Sequence, residues 1–332
     1  MKRIVLSLVA ITGLLSTTSL FAQLQITELH RVVPNGAKQG SELELTVGGS
    51  FNDDLTKMVF NHPGITAVQK LTPAGEFDPA PVPVNTTFTV KIAPEVPAGV
   101  YEVRIAGRYG LSNARPFQVS TGEEVRDNGA NRSFETAQEV AIGSVVSGVT
   151  DASNIDYYKV HLTAGQRVVA DCWASRLESR ANVSLVLLDA SGGQIKVSHD
   201  HNGYDPLLDF TAEAEGDFVI GVYDFVYAGG GDHSYRLNVT GGAIVDYVIP
   251  SFGKAGSNGT YTVIGRNLPG GKPLDGVTVA GAQLQSIQTN IAIPGQPGVS
   301  GLGVQKMVTA RVNRAVATAA GVPVVMNVSE LP

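Results

Sequence analysis

Residues of alternating character recur along nearly the whole chain, and this period of two most constrains what the chain can fold into. Leu43, Leu45 and Val47 alternate with Glu42, Glu44 and Thr46. Phe88, Val90 and Ile92 alternate with Thr87, Thr89 and Lys91, and Tyr235, Leu237 and Val239 with Arg236, Asn238 and Thr240. Successive side chains of a strand point to opposite faces, so the pattern predicts strands with one buried face. Turn-forming clusters such as PNGAKQG, SFNDD, ASGG, AGGGD and LPGGKP separate these runs. Helical periodicity is confined to ANRSFETAQEV, near residues 130–140, which predicts a single turn. The expected class is all-β, as sandwiches or barrels.

The chain also repeats itself. VVPNGAKQGSELELTVGGSF (32–51) aligns with VIPSFGKAGSNGTYTVIGRNL (248–268): a hydrophobic pair, Pro, a loop with Lys and Gly, then an alternating strand ending in a Gly turn. Two related units therefore flank a different middle one. Polar, turn-rich boundaries fall near STGEEVRDNGAN (120–131) and NVTGGAIVD (238–246). The expected units are 24–120, 121–240 and 241–332. Each flanking unit resembles the immunoglobulin-like TIG (IPT) family. The first carries Gly99-Val100-Tyr101-Glu102-Val103, Gly110-Leu111-Ser112-Asn113 and Phe117-Gln118-Val119, similar to that family's closing strands. The second keeps the opening but has no recognisable Ser-Asn closing strand.

The middle segment resembles the bacterial pre-peptidase C-terminal (PPC) family. The matching pieces are Asn131 to Gln138, Asp156-Tyr157-Tyr158-Lys159-Val160 with Ala164-Gly165-Gln166, Val183 to Gly193, Asp205-Pro206-Leu207-Leu208-Asp209-Phe210 with Glu215 to Ile220, and Tyr235-Arg236-Leu237. Together the resemblances imply three β-sandwich domains in tandem: Ig-like, PPC jelly-roll-like, Ig-like. Such modules accompany secreted enzymes without being the catalytic part. The implied role is a secreted, non-catalytic binding or scaffold protein that captures extracellular glycan or protein at the cell surface or in the periplasm. The alternative is an accessory region that positions the catalytic domain of a secreted hydrolase. Some PPC-like domains bind calcium, and the positions here that correspond are Asp127, Asn128 and Asn131 with Asp151, Ser153, Asn154 and Asp156. The plainer reading of the same residues is a set of solvated turns. No other cofactor is expected.

Residues 1–23 begin with Lys2 and Arg3, continue as an apolar run from Ile4 to Leu15, and end in Phe21-Ala22-Gln23. This is the pattern of a secretory signal peptide with cleavage near Ala22. Its removal takes the net charge from −6 to −8, because two positive charges and no negative ones are lost. Without clustered Lys and Arg, nucleic acid is not an expected partner. Cys172 is the only cysteine and excludes an internal disulfide; its apolar setting in VVADCW predicts a buried, inert thiol.

The stretch SHDHNGYDPLLDF (198–210) raises metal chemistry. His199 and His201 are two apart and can share one strand face, but zinc needs a third and fourth ligand; His233 or His161 could supply one, and nothing in the sequence brings them together. Asn202-Gly203 is a strong turn dipeptide, which favours a hairpin. The chain has no G-x-S-x-G, H-E-x-x-H or P-loop motif. Gly229-Gly230-Gly231-Asp232 joins strands rather than a strand and a helix, so it reads as a loop. Tyr204, Tyr223, Phe225 and Tyr227 cluster around the hairpin and the AGGGD loop. Aromatic rings near carboxylates suit sugar or peptide recognition, and the alternative is one buried strand face.

Overall fold

The computed structural model describes residues 25–75, 79–279, 281–293, 299–300, 313–319 and 322–329. The signal-peptide segment lies outside them. The chain is all-β, and the stretch near residues 130–140 supplies one 3₁₀ turn, Phe134–Thr136. Among the described residues no helix is long and apolar enough to cross a membrane.

The first group of strands is β1 (Glu28–Val33), β2 (Gly36–Lys38), β3 (Glu42–Ser50), β4 (Lys57–Phe60), β5 (Ile65–Thr72), β6 (Val82–Ile92), β7 (Gly99–Gly107), β8 (Gly110–Leu111) and β9 (Arg115–Ser120). They form two facing sheets, β1-β3-β6-β5 and β2-β9-β7-β4. Leu45, Phe88, Tyr101, Ile105 and Phe117 fill the space between them. Leu45 sits opposite Phe88 in the antiparallel β3–β6 ladder, so the period-two pattern puts both on the core face together.

The middle group is β10 (Glu123–Arg126), β11 (Gln138–Glu139), β12 (Ser144–Val149), β13 (Asp156–Leu162), β14 (Arg167–Trp173), β15 (Val183–Leu188), β16 (Gln194–Ser198), β17 (Leu207–Thr211), β18 (Gly216–Asp224) and β19 (Ser234–Thr240). One sheet runs β10-β12-β19-β14-β17 and the other β11-β13-β18-β15-β16. Their shared core holds Tyr158, Leu162, Cys172, Leu185, Ile220 and Leu237. Glu123 and Glu124, which read as linker residues in the sequence, lie in β10 and pair in parallel with β12.

The last group is β20 (Ile244–Ile249), β21 (Phe252–Lys254), β22 (Asn258–Arg266), β23 (Lys272–Val279), β24 (Ala282–Ala292), β25 (Val299–Ser300), β26 (Asn313–Ala319) and β27 (Val322–Ser329). The sheets are β20-β22-β24-β23 and β21-β27-β26-β25, around Tyr261, Val263, Ile291 and Met326. The sequence repeat reappears as register. The β1–β3 ladder shifts between Leu29 and Arg31, and the β20–β22 ladder shifts between Val245 and Tyr247. Gly36 pairs with Gln118 in the parallel β2–β9 ladder, and Phe252 pairs with Asn327 in β21–β27.

Candidate functional site

The two sheets of the middle group have different surroundings. Alternation along β14 and β19 sends Cys172, Tyr235 and Leu237 inward and Asp171, Trp173 and Arg236 outward. That outer face is covered. Arg236 is fully buried. Its guanidinium donates to Gln118 Oε1 at 2.6 Å, Ser120 Oγ at 3.3 Å, Ser147 Oγ at 2.8 Å and both Glu124 oxygens at 2.6 and 3.2 Å. A Cβ at Gly36 would stand 2.4 Å from the Gln118 carbonyl and 2.7 Å from Arg236 Cζ, so the close approach of β2 requires glycine. Arg266 plays the same part toward the last group. It is fully buried and donates Nη1 to Asp209 at 2.8 Å and Nε to Asp246 at 3.2 Å. Burial pushes the Asp209 carboxyl up, but bonds from Arg167 and Arg266 outweigh it and hold the carboxyl below the usual range.

The opposite sheet presents the aromatic residues. Val183, Leu185 and Leu187 of β15 point into the core, so Ser184 faces outward beside its cross-strand partner Tyr223. Tyr223 stacks on Tyr227 with ring centroids 5.4 Å apart and planes at 20°. Phe225 lies 5.9 Å from the His199 ring and is 55% exposed. Tyr227 is 46% and Tyr204 63% exposed. Ile195 and Val197 of β16 extend the same sheet as exposed apolar residues. In and just before β15, Ser184 Oγ and Asn182 Oδ1 are buried without a hydrogen-bond partner among the described residues. Asp224 anchors the loop: its Oδ1 accepts from the Val226 and Ala228 N–H groups, and its Oδ2 from that of Asn182. The structure brings Tyr223, Tyr227 and Phe225 to one end of one sheet. Tyr204 sits on the separate turn between β16 and β17.

That turn closes through reciprocal backbone bonds between Asn202 and Asp205, with Gly203 at a φ of 65°. It is not a hairpin. β16 and β17 belong to opposite sheets, so SHDHNGYDPLLDF turns a corner of the sandwich. Asp205, fully buried, accepts from the backbone N–H groups of Ala174, Ser175 and Arg176 and from Arg176 Nε at 2.7 Å, fixing the 3₁₀ turn Ser175–Leu177. His199 and His201 do not converge. His199 Nδ1 lies 3.3 Å from Asp200, whereas His201 Nε2 lies 3.8 Å from Asp246 in β20. Among the described residues no group of three or more His, Cys, Asp or Glu side chains is placed to hold a metal. Cys172 is buried and free, and burial drives its thiol pKa well up.

The calcium positions are differently occupied. Arg132 reaches between Asp151 and Asp156 and bonds one oxygen of each. The second Asp156 oxygen accepts from the Tyr235 hydroxyl at 2.7 Å, and that hydroxyl also bonds Tyr158 at 2.5 Å. Asp127 accepts from the Gly129 N–H, Asn128 from that of Ala130, and the Asn154 side chain donates to the Ala152 carbonyl. Asn131 is buried, with Nδ2 on the Tyr157 carbonyl and an unpartnered Oδ1. Calcium takes six to eight oxygens. Here both Asp156 oxygens are engaged and a guanidinium supplies the positive charge, so these residues do not fit the ion. Burial raises the Asp156 carboxyl to about 6, against the opposing bond from Tyr235.

Alternation flagged Arg236 as a solvent-facing residue of its strand. The surface that buries it comes from Gln118 and Ser120, more than a hundred positions away, and leaves no local trace. Arg132, Asp205 and Arg266 meet their side-chain partners nearer in sequence, 19 to 57 positions away.

No family model matches this chain, and no curated protein matches it. Solved structures do. One is the pre-peptidase C-terminal domain of a Bacillus anthracis collagenase, 17% identical over 31% of this chain and 94% of that one, at a TM-score of 0.27. Another is the Aeromonas hydrophila PliG, a periplasmic inhibitor of g-type lysozyme, 15% identical over 31% of this chain and 97% of that one, at 0.24. A third is SGBP-B of a Bacteroides ovatus mixed-linkage glucan utilization locus, solved with a heptasaccharide, 9% identical over 62% of this chain and 72% of that one, at 0.21. At these identities and scores the likenesses carry no functional information.

Proposed function

We propose that this chain is an exported, non-catalytic binding protein of the cell surface or periplasm, in which a PPC-like middle domain between two TIG-like domains captures glycan on its free sheet face. The stacked Tyr223–Tyr227 pair carries the reading. Two parallel tyrosine rings beside an exposed Phe225 offer flat apolar surface to the faces of sugar rings. Ser184, the cross-strand partner of Tyr223, and Asn182, whose carbonyl accepts from the Phe225 N–H, adjoin that surface in the same sheet. The neighbouring domains cover the opposite face and leave this one open.

Affinity electrophoresis through gels containing neutral polysaccharides tests the idea. The full chain is expected to be retarded by at least one β-linked glucan, xylan or mannan, and the double variant Tyr223→Ala/Tyr227→Ala to migrate as if no glycan were present. Retardation that survives the double substitution rules this face out.

A further inference from the structure

Three cavities, of about 450, 250 and 600 Å³, share Trp173, the only tryptophan, as a wall. The first lies where all three groups of strands come together, with Ser120 from the first, Val145 and Asn238 from the middle and Val324 from the last. The other two also have Arg176, Asn202 and Tyr247 in common, so they form one cleft between the middle group and β20. Small-ligand sites are hollows of roughly 300–1,000 Å³ and favour junctions between domains. This cleft has that size and that place. It opens on the sheet that holds β14, whereas Tyr223 lies in the opposite sheet.

The lining decides the kind of occupant. Two aromatic rings contribute to it from different groups of strands: Trp173 from β14, and Tyr247 from β20, which is 58% exposed. Trp173 is held in place, because Nε1 donates to Asp171 Oδ2 at 2.6 Å and the Arg176 guanidinium lies over the ring at 4.1 Å. The charged groups are committed to one another. Arg176 divides its guanidinium between Asp171 and Asp205, and Asp246 accepts from Arg266 with His201 3.8 Å away. An ionised ligand would have to break one of these pairs to gain a partner. The groups left to an occupant are neutral. The carboxamides of Asn202 and Asn327 and the Tyr247 hydroxyl line the cleft and bond no other side chain among the described residues. Carboxamides and phenols both donate and accept, which is what a sugar hydroxyl needs opposite it.

We infer that the Trp173 cleft is a second glycan site, which takes an uncharged sugar unit with its apolar ring face against Trp173 and Tyr247 and its hydroxyls on Asn202, Asn327 and the Tyr247 hydroxyl. A neutral sugar combines a flat apolar face with uncharged hydroxyls around its rim, and the lining offers rings for the one and amide and phenol groups for the other. Filling the cleft also bridges β14 and β20, so the occupant stiffens the joint between the middle and last groups.

Trp173 is also the reporter. The full chain and its Tyr223→Ala/Tyr227→Ala variant are titrated with cellohexaose, xylohexaose and mannohexaose, following tryptophan emission and heat. At least one of these sugars is expected to shift the emission saturably, and equally in the two proteins, since the tyrosine face is on the other sheet. Tyr247→Ala, an exchange at an exposed position that spares the core, is expected to weaken that sugar about tenfold. Asn202→Ala is expected to weaken it severalfold, and should that turn variant fail to fold, Tyr247→Ala still decides. Neither a shift nor heat with any of the three at millimolar sugar in the double tyrosine variant overturns the inference, as does undiminished binding to Tyr247→Ala. A shift with glucosamine or galacturonic acid hexamers in place of the neutral ones overturns it by showing that a charge is recognised, and a shift with blocked tetraglycine alone overturns it in favour of a peptide. None of these outcomes bears on the tyrosine face, which is read separately by glycan retardation.

Discussion

Arg236 is where the interface between the first and middle sheet pairs is most exposed to test. Its guanidinium is fully buried and bonds four side chains, two of them, Gln118 and Ser120, belonging to β9 of the first pair. Arg236→Ala removes the cation but leaves Glu124 and Gln118 in place. Removing one partner of a buried ion pair costs about 3–5 kcal/mol. The Glu124 side chain is 27% exposed, so water reaches part of it and the lower end, about 3 kcal/mol, applies. Arg236→Met with Glu124→Leu removes both charges and keeps apolar bulk, and is expected to recover all but about 1 kcal/mol. Urea unfolding gives both values. Trp173 emission reports the middle pair, and far-ultraviolet circular dichroism reports all the strands. In Arg236→Ala the two transitions should separate as the first pair loses its hold on the middle one. A loss below about 1 kcal/mol for Arg236→Ala, or a double variant no more stable than the single one, refutes the argument.

Gly36→Ala should disturb the same junction by overpacking, lowering stability by about 1–3 kcal/mol in the same urea experiment. Asp156 gives a pH signature. Its carboxyl is raised from 3.8 to about 6, so its contribution is fully present below 3.8 and is lost as pH rises through 6, roughly 3 kcal/mol in all. About 2 kcal/mol of that change falls between pH 4.5 and 7.5, so the stability advantage of the native chain over Asp156→Asn should shrink by that amount across the window, read by urea midpoints at each pH. Arg132→Ala frees Asp151 and Asp156. Millimolar calcium should then raise the melting temperature of the variant while leaving the native chain unmoved, and a shift in the native chain would show that the guanidinium does not stand in for the ion.

The core was legible because it is a one-dimensional pattern. Leu45, Phe88, Val90 and Leu237 all face inward as alternation requires, and the repeat of 32–51 in 248–268 returns as matching register shifts. The aromatic surface was half legible. Tyr223, Phe225 and Tyr227 were marked by spacing, whereas the unpartnered oxygens of Ser184 and Asn182 were not, since an unpartnered oxygen is visible only once its surroundings are assembled. The corner at Asn202 and Gly203 was read correctly as a turn but not as a change of sheet, because a tight turn has the same local chemistry whichever sheet the next strand joins. Arg236 escaped because its partners Gln118, Ser120 and Glu124 are more than a hundred positions away in sequence. In strands that are solvent-facing by pattern, an arginine two residues from another outward polar group looks identical whether water or a second domain covers it.

The parallel ladders have a consequence under load. In the first group the early strand β2 lies parallel to β9, the last strand, and in the last group β21 lies parallel to β27 in the same way. When the chain is pulled along its length, the two members of each ladder are drawn in opposite directions along their own axes. The hydrogen bonds between them are then strained together in shear instead of opening one after another like a zipper. Forced unfolding is governed by the rate of crossing that barrier rather than by equilibrium stability. A chain joined this way resists extension from its ends far more than its equilibrium stability alone implies.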